Sequence, residues 1–267
     1  MRHATIRSAD GTPLNLVQWD GGDRAQLLLV GGLAEHMGRY PHVAKAFTDA
    51  GYAVAGIELR GHGHSGGKRG HVEDFAAYRA DVRAALDRVG PAFIIAHSMG
   101  GLVSTDTVLE NAEGIRGWVM SNPLLGLKFE PPRWKVAGSR VLNRLLPRLS
   151  LSNELTTDWI CRDPDVVARY EADPLVFDTV TPRWFMGSVR AQQRVFAGAA
   201  RVGIPLLCLV GTDDKICNPD SARRFVDACG SDDKALKVYD GLYHELFNEP
   251  EKEQVLADVI AWLDAHV

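Results

Sequence analysis

The tightest constraint on this chain is the hexapeptide Ala96-His97-Ser98-Met99-Gly100-Gly101, set between an apolar run over residues 92–96 and a helix-patterned run over 100–111. An apolar run that ends in small-x-Ser-x-Gly and passes straight into a helix is the strand, sharp turn and helix of a nucleophile elbow. Such a turn lifts the serine above the carboxyl end of a sheet, and small flanking residues let the strand and helix backbones pass closely. Ser98 is therefore the candidate nucleophile. Alanine stands at 96 where glycine is usual, which keeps the small size but not the backbone freedom. Alone, the same letters also describe a serine N-cap on an ordinary helix, so the assignment depends on partners elsewhere in the chain.

Those partners follow in order. Residues 205–210 are a short apolar run that opens into Gly211-Thr212-Asp213-Asp214, as a buried parallel strand entering an acidic loop should look. The strand-like run 235–240 ends in Gly241-Leu242-Tyr243-His244-Glu245. Serine, then acid, then histidine is the chain order of an α/β-hydrolase triad. A serine hydroxyl is barely ionised at neutral pH, so it attacks a carbonyl usefully only when a histidine takes its proton. A carboxylate must then hold the imidazole in the productive tautomer. Asp213 and Asp214 both stand where that carboxylate is needed, whereas Asp220, Asp232 and Asp240 read as surface or turn residues. Of nine histidines, only His244 and His266 follow the acidic loop, and His266 ends a helix. That leaves His244 as the base.

The rest of the chain supplies a matching framework. Strand patterns over 4–8, 14–19, 26–30, 52–58, 92–96, 117–121, 205–210 and 235–240 alternate with helical patterns over 40–50, 75–89, 100–111, 221–229 and 251–266. This predicts an α/β fold with a mostly parallel eight-stranded sheet and helices on both faces. Ligands in such sheets bind beyond the carboxyl ends of the strands, where Ser98, Asp214 and His244 fall. The alternation breaks over 126–200, which reads as a helical cap inserted into a core made of 1–125 and 201–267. The insertion carries Trp134, Trp159, Trp184, Phe129, Phe177, Phe185 and Phe196. They serve either as its own core or as a lid over an apolar acyl tunnel.

Charge narrows the partners. The chain as a whole is at −4, which with no recognition motif argues against nucleic acid. The start of the insertion is locally basic, with Lys128, Arg133, Lys135, Arg140, Arg144 and Arg148 against Glu130. Trp134, Ala137, Val141, Leu142 and Leu145 recur there at helical spacing. Such a stripe either docks a helix on its own protein or lays it on an anionic membrane surface. No apolar stretch is long enough to span a bilayer, and Met1-Arg2-His3 leads into strand-like sequence, so a cytoplasmic protein is expected. Cys161, Cys208, Cys217 and Cys229 lack the spacing of a zinc site or a disulfide framework, and serine chemistry calls for no metal or cofactor.

The chain resembles the monoacylglycerol lipase and lysophospholipase-like α/β hydrolases over essentially its whole length. The motifs are Gly32-Leu33-Ala34-Glu35-His36-Met37-Gly38-Arg39-Tyr40, Arg60-Gly61-His62-Gly63-His64-Ser65, His97-Ser98-Met99-Gly100-Gly101, Gly211-Thr212-Asp213-Asp214-Lys215-Ile216-Cys217 and Tyr243-His244-Glu245-Leu246. The resemblance implies hydrolysis of a lipid monoester through an acyl-enzyme, with Asp214 as the triad acid. It also implies an oxyanion hole from the Leu33 and Met99 backbone N–H groups, and Glu35 and Arg39 at the polar end of the pocket. Cys217 matches a cysteine that some relatives carry beside the site. Lysophospholipase, general carboxylesterase and non-catalytic ligand binding are the alternatives.

Two departures stand out. Gly31 occupies the place where the family usually has histidine, removing a side chain that would brace the oxyanion loop, so a loop mobile before substrate binds is expected. Phe247 stands where some monoacylglycerol lipases carry a second histidine. His62 and His64 are expected to serve structure through hydrogen bonds, not catalysis.

Overall fold

The computed structural model describes residues 1–129 and 133–267; Glu130 and the side chains of Arg133, Lys135 and Ala137 lie outside the described residues. The chain begins with β1 (Arg2–Arg7), β2 (Pro13–Trp19), β3 (Gln26–Val30), α1 (Pro41–Asp49) and β4 (Ala53–Ile57). Then come α2 (Ala76–Val89), β5 (Ala92–His97), α3 (Met99–Glu110) and β6 (Ile115–Ser121). The insertion holds α4 (Arg133–Leu145), β7 (Leu151–Ser152), α5 (Pro164–Ala172), β8 (Thr179–Val180) and α6 (Pro182–Gly198). The chain closes with β9 (Leu206–Gly211), α7 (Pro219–Ala228), β10 (Lys234–Tyr239) and α8 (Lys252–Asp264).

Eight strands form one sheet in the order β1-β2-β4-β3-β5-β6-β9-β10. The β1–β2 and β2–β4 pairs are antiparallel, and every other pair is parallel. The expected fold is the one observed. Central strands are buried on both faces, so β3 and β5 read as continuous apolar runs. Successive side chains nonetheless point to opposite faces. Leu27 and Leu29 join Phe47, Phe93, Val255 and Val259 on the α1/α8 side. Leu28 and Val30 join Val82, Leu102 and Phe225 on the α2/α3/α7 side.

Among the described residues the insertion has no separate core. Its buried Ile160, Cys161, Val166, Trp184, Ala191 and Val195 belong to the same cluster as the α2/α3 face of the sheet. Phe75 against Trp184 (6.0 Å between rings) and Phe196 against Phe225 (6.0 Å) are among the aromatic contacts of that join. Pro164 and Pro182 open α5 and α6 behind Asp163 and Thr181, whose side chains accept backbone N–H bonds in the manner of N-caps. Along α4 the expected apolar stripe faces outward, since Trp134, Val141 and Leu145 are 71%, 57% and 68% exposed. No helix among the described residues is long and apolar enough to cross a membrane.

Candidate active site

Three chain reversals at the carboxyl edge of the sheet bring the expected residues together. The first is the turn between β5 and α3. Ser98 has φ 51° and ψ −116°, a left-handed conformation unusual for a non-glycine residue. Gly100 makes that turn possible: a Cβ there would sit 2.3 Å from the Val30 carbonyl oxygen and 2.6 Å from that of Gly31. Ala96 is fully buried, in register with Val30 and Met120. Alanine's one methyl thus fits where glycine is usual.

The second reversal follows β9. Asp214 is 1% exposed, and its Oδ1 accepts the Ile216 and Cys217 backbone N–H groups at 2.8 and 3.0 Å. Its Oδ2 is left for the histidine. Asp213 is exposed, with its carboxylate near the Thr212 hydroxyl at 3.4 Å, so of the two neighbours it is Asp214 that meets His244. The third reversal follows β10. His244 Nδ1–H donates to Asp214 Oδ2 at 2.8 Å, and the Ser98 hydroxyl donates to His244 Nε2 at 2.9 Å. All three side chains are buried.

Electrostatics fit a proton-taking imidazole. Burial pulls the His244 pKa down, but the charge and hydrogen bond of Asp214, with the charges of Glu245 and Glu35, outweigh it and raise it above the ordinary value. His97 packs 4.7 Å from the His244 ring, its pKa lowered by burial and its Nδ1–H donating to the Ser121 carbonyl. Cys217 Sγ lies 4.0 Å from Ser98 Oγ, and burial together with Asp214 pushes its thiol well above the usual range. It is a neutral neighbour, not a competing nucleophile.

The loop 31–40, expected to carry one donor of the oxyanion hole, runs directly over Ser98. A Cβ on Gly32 would stand 3.1 Å from Ser98 Cβ and 2.9 Å from Glu35 Oε2. Met99 N–H is the first of its helix and so has no intrahelical acceptor. Neither it nor Leu33 N–H meets a backbone acceptor among the described residues. The side chain missing at Gly31 has a substitute on the loop itself: Glu35 Oε2 accepts the Gly32 N–H at 2.5 Å and the Tyr40 hydroxyl at 2.8 Å. A second buried carboxylate, Glu58, accepts the Met37 N–H at 3.0 Å.

Glu35 and Arg39, which the family resemblance implied at the polar end of the pocket, line a small cavity together with Glu245 and pair with one another. Arg39 donates to Glu35 at 2.7 Å and, through both terminal nitrogens, to Glu245 at 2.7 Å each, with side-chain exposures of 9% for Arg39 and 4% for each acid. Their charges face one another. Phe247 is buried beside them, its carbonyl accepting a bond from His42. His62 bonds the Arg60 carbonyl through Nδ1 and packs on Phe177, and burial lowers its pKa to about 4.

Two contributors escaped the sequence reading. Asn122 donates from Nδ2 to the carbonyls of Tyr243 and His244 and accepts the Gly211 N–H at Oδ1, tying the histidine loop to the start of the acidic loop. Its place straight after a central strand was the available signal. Glu245 is the other, and adjacency to His244 was its signal.

Comparison with known proteins gives the chain its family. Residues 21–251 match the family described as serine aminopeptidase, S33. A monoacylglycerol lipase of Mycolicibacterium smegmatis is 38% identical over 93% of this chain and 91% of its own length. The chain belongs to this family of α/β hydrolases, in its monoacylglycerol lipase-like branch. As a member it is a serine ester hydrolase. Phospholipase YtpA of Bacillus subtilis is 30% identical over 91% of this chain and 96% of its own. The crystal structure of a Paleococcus ferrophilus monoacylglycerol lipase superposes with a TM-score of 0.90 at 34% identity, covering 95% of this chain and 99% of that one.

Proposed function

We propose that the chain hydrolyses a lipid monoester of the monoacylglycerol type, with Ser98, His244 and Asp214 as its triad. The observation that carries this reading is the unbroken hydrogen-bonded path from Ser98 Oγ through His244 to Asp214. In the first step His244 Nε2 takes the Ser98 proton as Oγ bonds to the ester carbon. The carbonyl oxygen becomes an oxyanion that accepts the Leu33 and Met99 N–H groups, each such donor contributing roughly 3–4 kcal/mol to the transition state. Collapse breaks the C–O bond, and His244 returns the proton to the departing glycerol oxygen. Water, deprotonated by the same imidazole, then frees the fatty acid and restores Ser98.

An ester is favoured over a peptide N-terminus by the similarity to a monoacylglycerol lipase over nearly the whole chain. Within this proposal Glu35 and Arg39 act on the polar end of the substrate by setting the oxyanion loop. Residues 126–200 act as the cap that admits one acyl chain. A lysophospholipid is the second reading, favoured by the similarity to a phospholipase.

The cap also supports transient contact with an anionic membrane. Trp134, Val141, Leu145, Leu146 and Leu149 are exposed beside the exposed Arg140, Arg144 and Arg148. Each such cation contributes about 1 kcal/mol near an anionic surface.

Matched mono-, di- and triacylglycerols, a lysophospholipid and a short-chain aryl ester, assayed in one detergent, test the function. The highest kcat/KM is expected for the monoacylglycerol. Equal values across the acylglycerols would overturn the selective cap, and a preference for the lysophospholipid would move the assignment to the second reading.

A further inference from the structure

We infer that Arg39 is a positioning residue, which clamps the oxyanion loop to the catalytic-histidine loop through Glu35 on one side and Glu245 on the other. The inference rests on the triad and oxyanion assignments above, and it assigns to this ion cluster a task separate from substrate contact.

The geometry is continuous. Glu35 Oε2 holds the Gly32 N–H at 2.5 Å, its Oε1 holds Arg39 at 2.7 Å, and Arg39 reaches both oxygens of Glu245 at 2.7 Å. Glu245 is bonded in sequence to His244 and is itself fixed by Asn248 Nδ2 at 2.8 Å. One chain of hydrogen bonds therefore runs from the oxyanion loop to the residue next to the general base. Leu33 lies between two fixed neighbours, since Gly32 is held by Glu35 and Ala34 is in the left-handed region at φ 64°.

The insertion closes the clamp from outside. The Arg39 guanidinium lies over the Tyr170 ring at 4.7 Å, and the Glu245 N–H donates to the Ile160 carbonyl at 2.7 Å. Arginine suits this position because its planar fork bonds two carboxylates at once and stacks on an aromatic face, which lysine does not do. The cluster also answers the Gly31 departure: with no histidine to brace the loop, the brace comes from inside it, through a carboxylate anchored by a distant loop.

Two acids against one arginine leave the cluster with an excess negative charge near His244. The groups facing that ring are Asp214 and Cys217 from the loop after β9, Ser98 and His97 from the elbow, Glu35 from the oxyanion loop, and its own neighbour Glu245. Removing one of the two cluster acids therefore also lowers the proton affinity of the imidazole.

The test compares Glu245→Gln, Arg39→Lys and Arg39→Met with wild type, using an aryl ester and normalising every rate to the concentration of active sites titrated with a fluorophosphonate. Glu245→Gln leaves Arg39 paired with Glu35, so a folded enzyme is obtained even where Arg39→Met, which strands two buried acids, fails to fold. Expected for Glu245→Gln are a kcat lowered roughly 10- to 100-fold with KM within about twofold, because the misplaced donor acts on the transition state. Its acid limb should move roughly half a pH unit downward, because one negative charge facing the imidazole is gone. Arg39→Lys should recover part of the kcat lost in Arg39→Met. Wild-type kcat per titrated site in Glu245→Gln, whatever its acid limb, would overturn the clamp while leaving the triad intact. Failure of the triad reading looks different: hydrolysis and labelling would then persist in Ser98→Ala.

Discussion

Replacing Asp214 by asparagine tests how the carboxylate serves the imidazole, because the structure fixes which atom of the new side chain faces His244. Asp214 Oδ1 accepts two backbone N–H groups, from Ile216 at 2.8 Å and Cys217 at 3.0 Å, and the asparagine oxygen will keep them. The amide nitrogen then takes the place of Oδ2, 2.8 Å from His244 Nδ1. A donor facing Nδ1 makes that atom an acceptor and moves the ring proton to Nε2, so the imidazole presents N–H to Ser98 and cannot take its proton. A wrong tautomer of this kind lowers kcat by about 10⁴, which is about 5 kcal/mol of activation free energy. Two backbone bonds and the side-chain volume are retained, so the melting temperature should change little. The assay is aryl-ester hydrolysis at neutral pH, with thermal unfolding as the control. Asp213→Asn should stay within about twofold of wild type, as exposed substitutions usually do. Retention of more than a tenth of the activity by Asp214→Asn, or a larger loss in Asp213→Asn, would refute the reasoning.

Further expectations follow from other parts of the molecule. The base must be neutral to act, and His244 is raised above its ordinary 6.5, so kcat/KM should fall as pH drops through a value above 6.5; a limb below 6.5 would contradict the charge balance around the ring. Gly100→Ala puts a Cβ 2.3 Å from a backbone oxygen and should destabilise the fold by about 1–3 kcal/mol or more, read as a lower melting temperature, and an unchanged one would show that strand and helix are not so tightly apposed. Trp134→Ser with Leu145→Ser should weaken sedimentation with phosphatidylglycerol vesicles roughly 10-fold while leaving aryl-ester hydrolysis alone, since together they remove two large apolar contacts. Equal sedimentation would remove α4 from the membrane contact.

The sheet was legible because its physics is local. Leu27 and Leu29 face one layer, Leu28 and Val30 the other, and a run of this kind has few alternatives to a strand covered on both sides. The eight strands and their helices lie within two residues of the positions expected at most ends. α7 begins at Pro219, two residues before the periodic pattern, because Asn218 and Pro219 act as cap and first turn although their letters read as loop. The β7–β8 ribbon has two residues per strand and no alternation to detect. Ser98, Asp214 and His244 were readable since each ends a strand pattern with a distinctive turn. The tie between Arg39 and Glu245 was not, since the two lie 206 positions apart and no local pattern links them. The acidic pair at 213–214 shows the same limit on a smaller scale: adjacent letters are equivalent until the turn buries one and exposes the other.

The most direct measurement of the central claim is the mass of the enzyme quenched during turnover of an activated acyl ester, with peptide mapping of the adduct. The account predicts one acyl group per chain on the peptide containing Ser98, competition by a fluorophosphonate, and loss of both adducts in Ser98→Ala, with kcat lowered on the order of 10⁴–10⁶ in a protein that still folds. An acyl adduct on any other residue, or labelling and turnover that survive in Ser98→Ala, would contradict it.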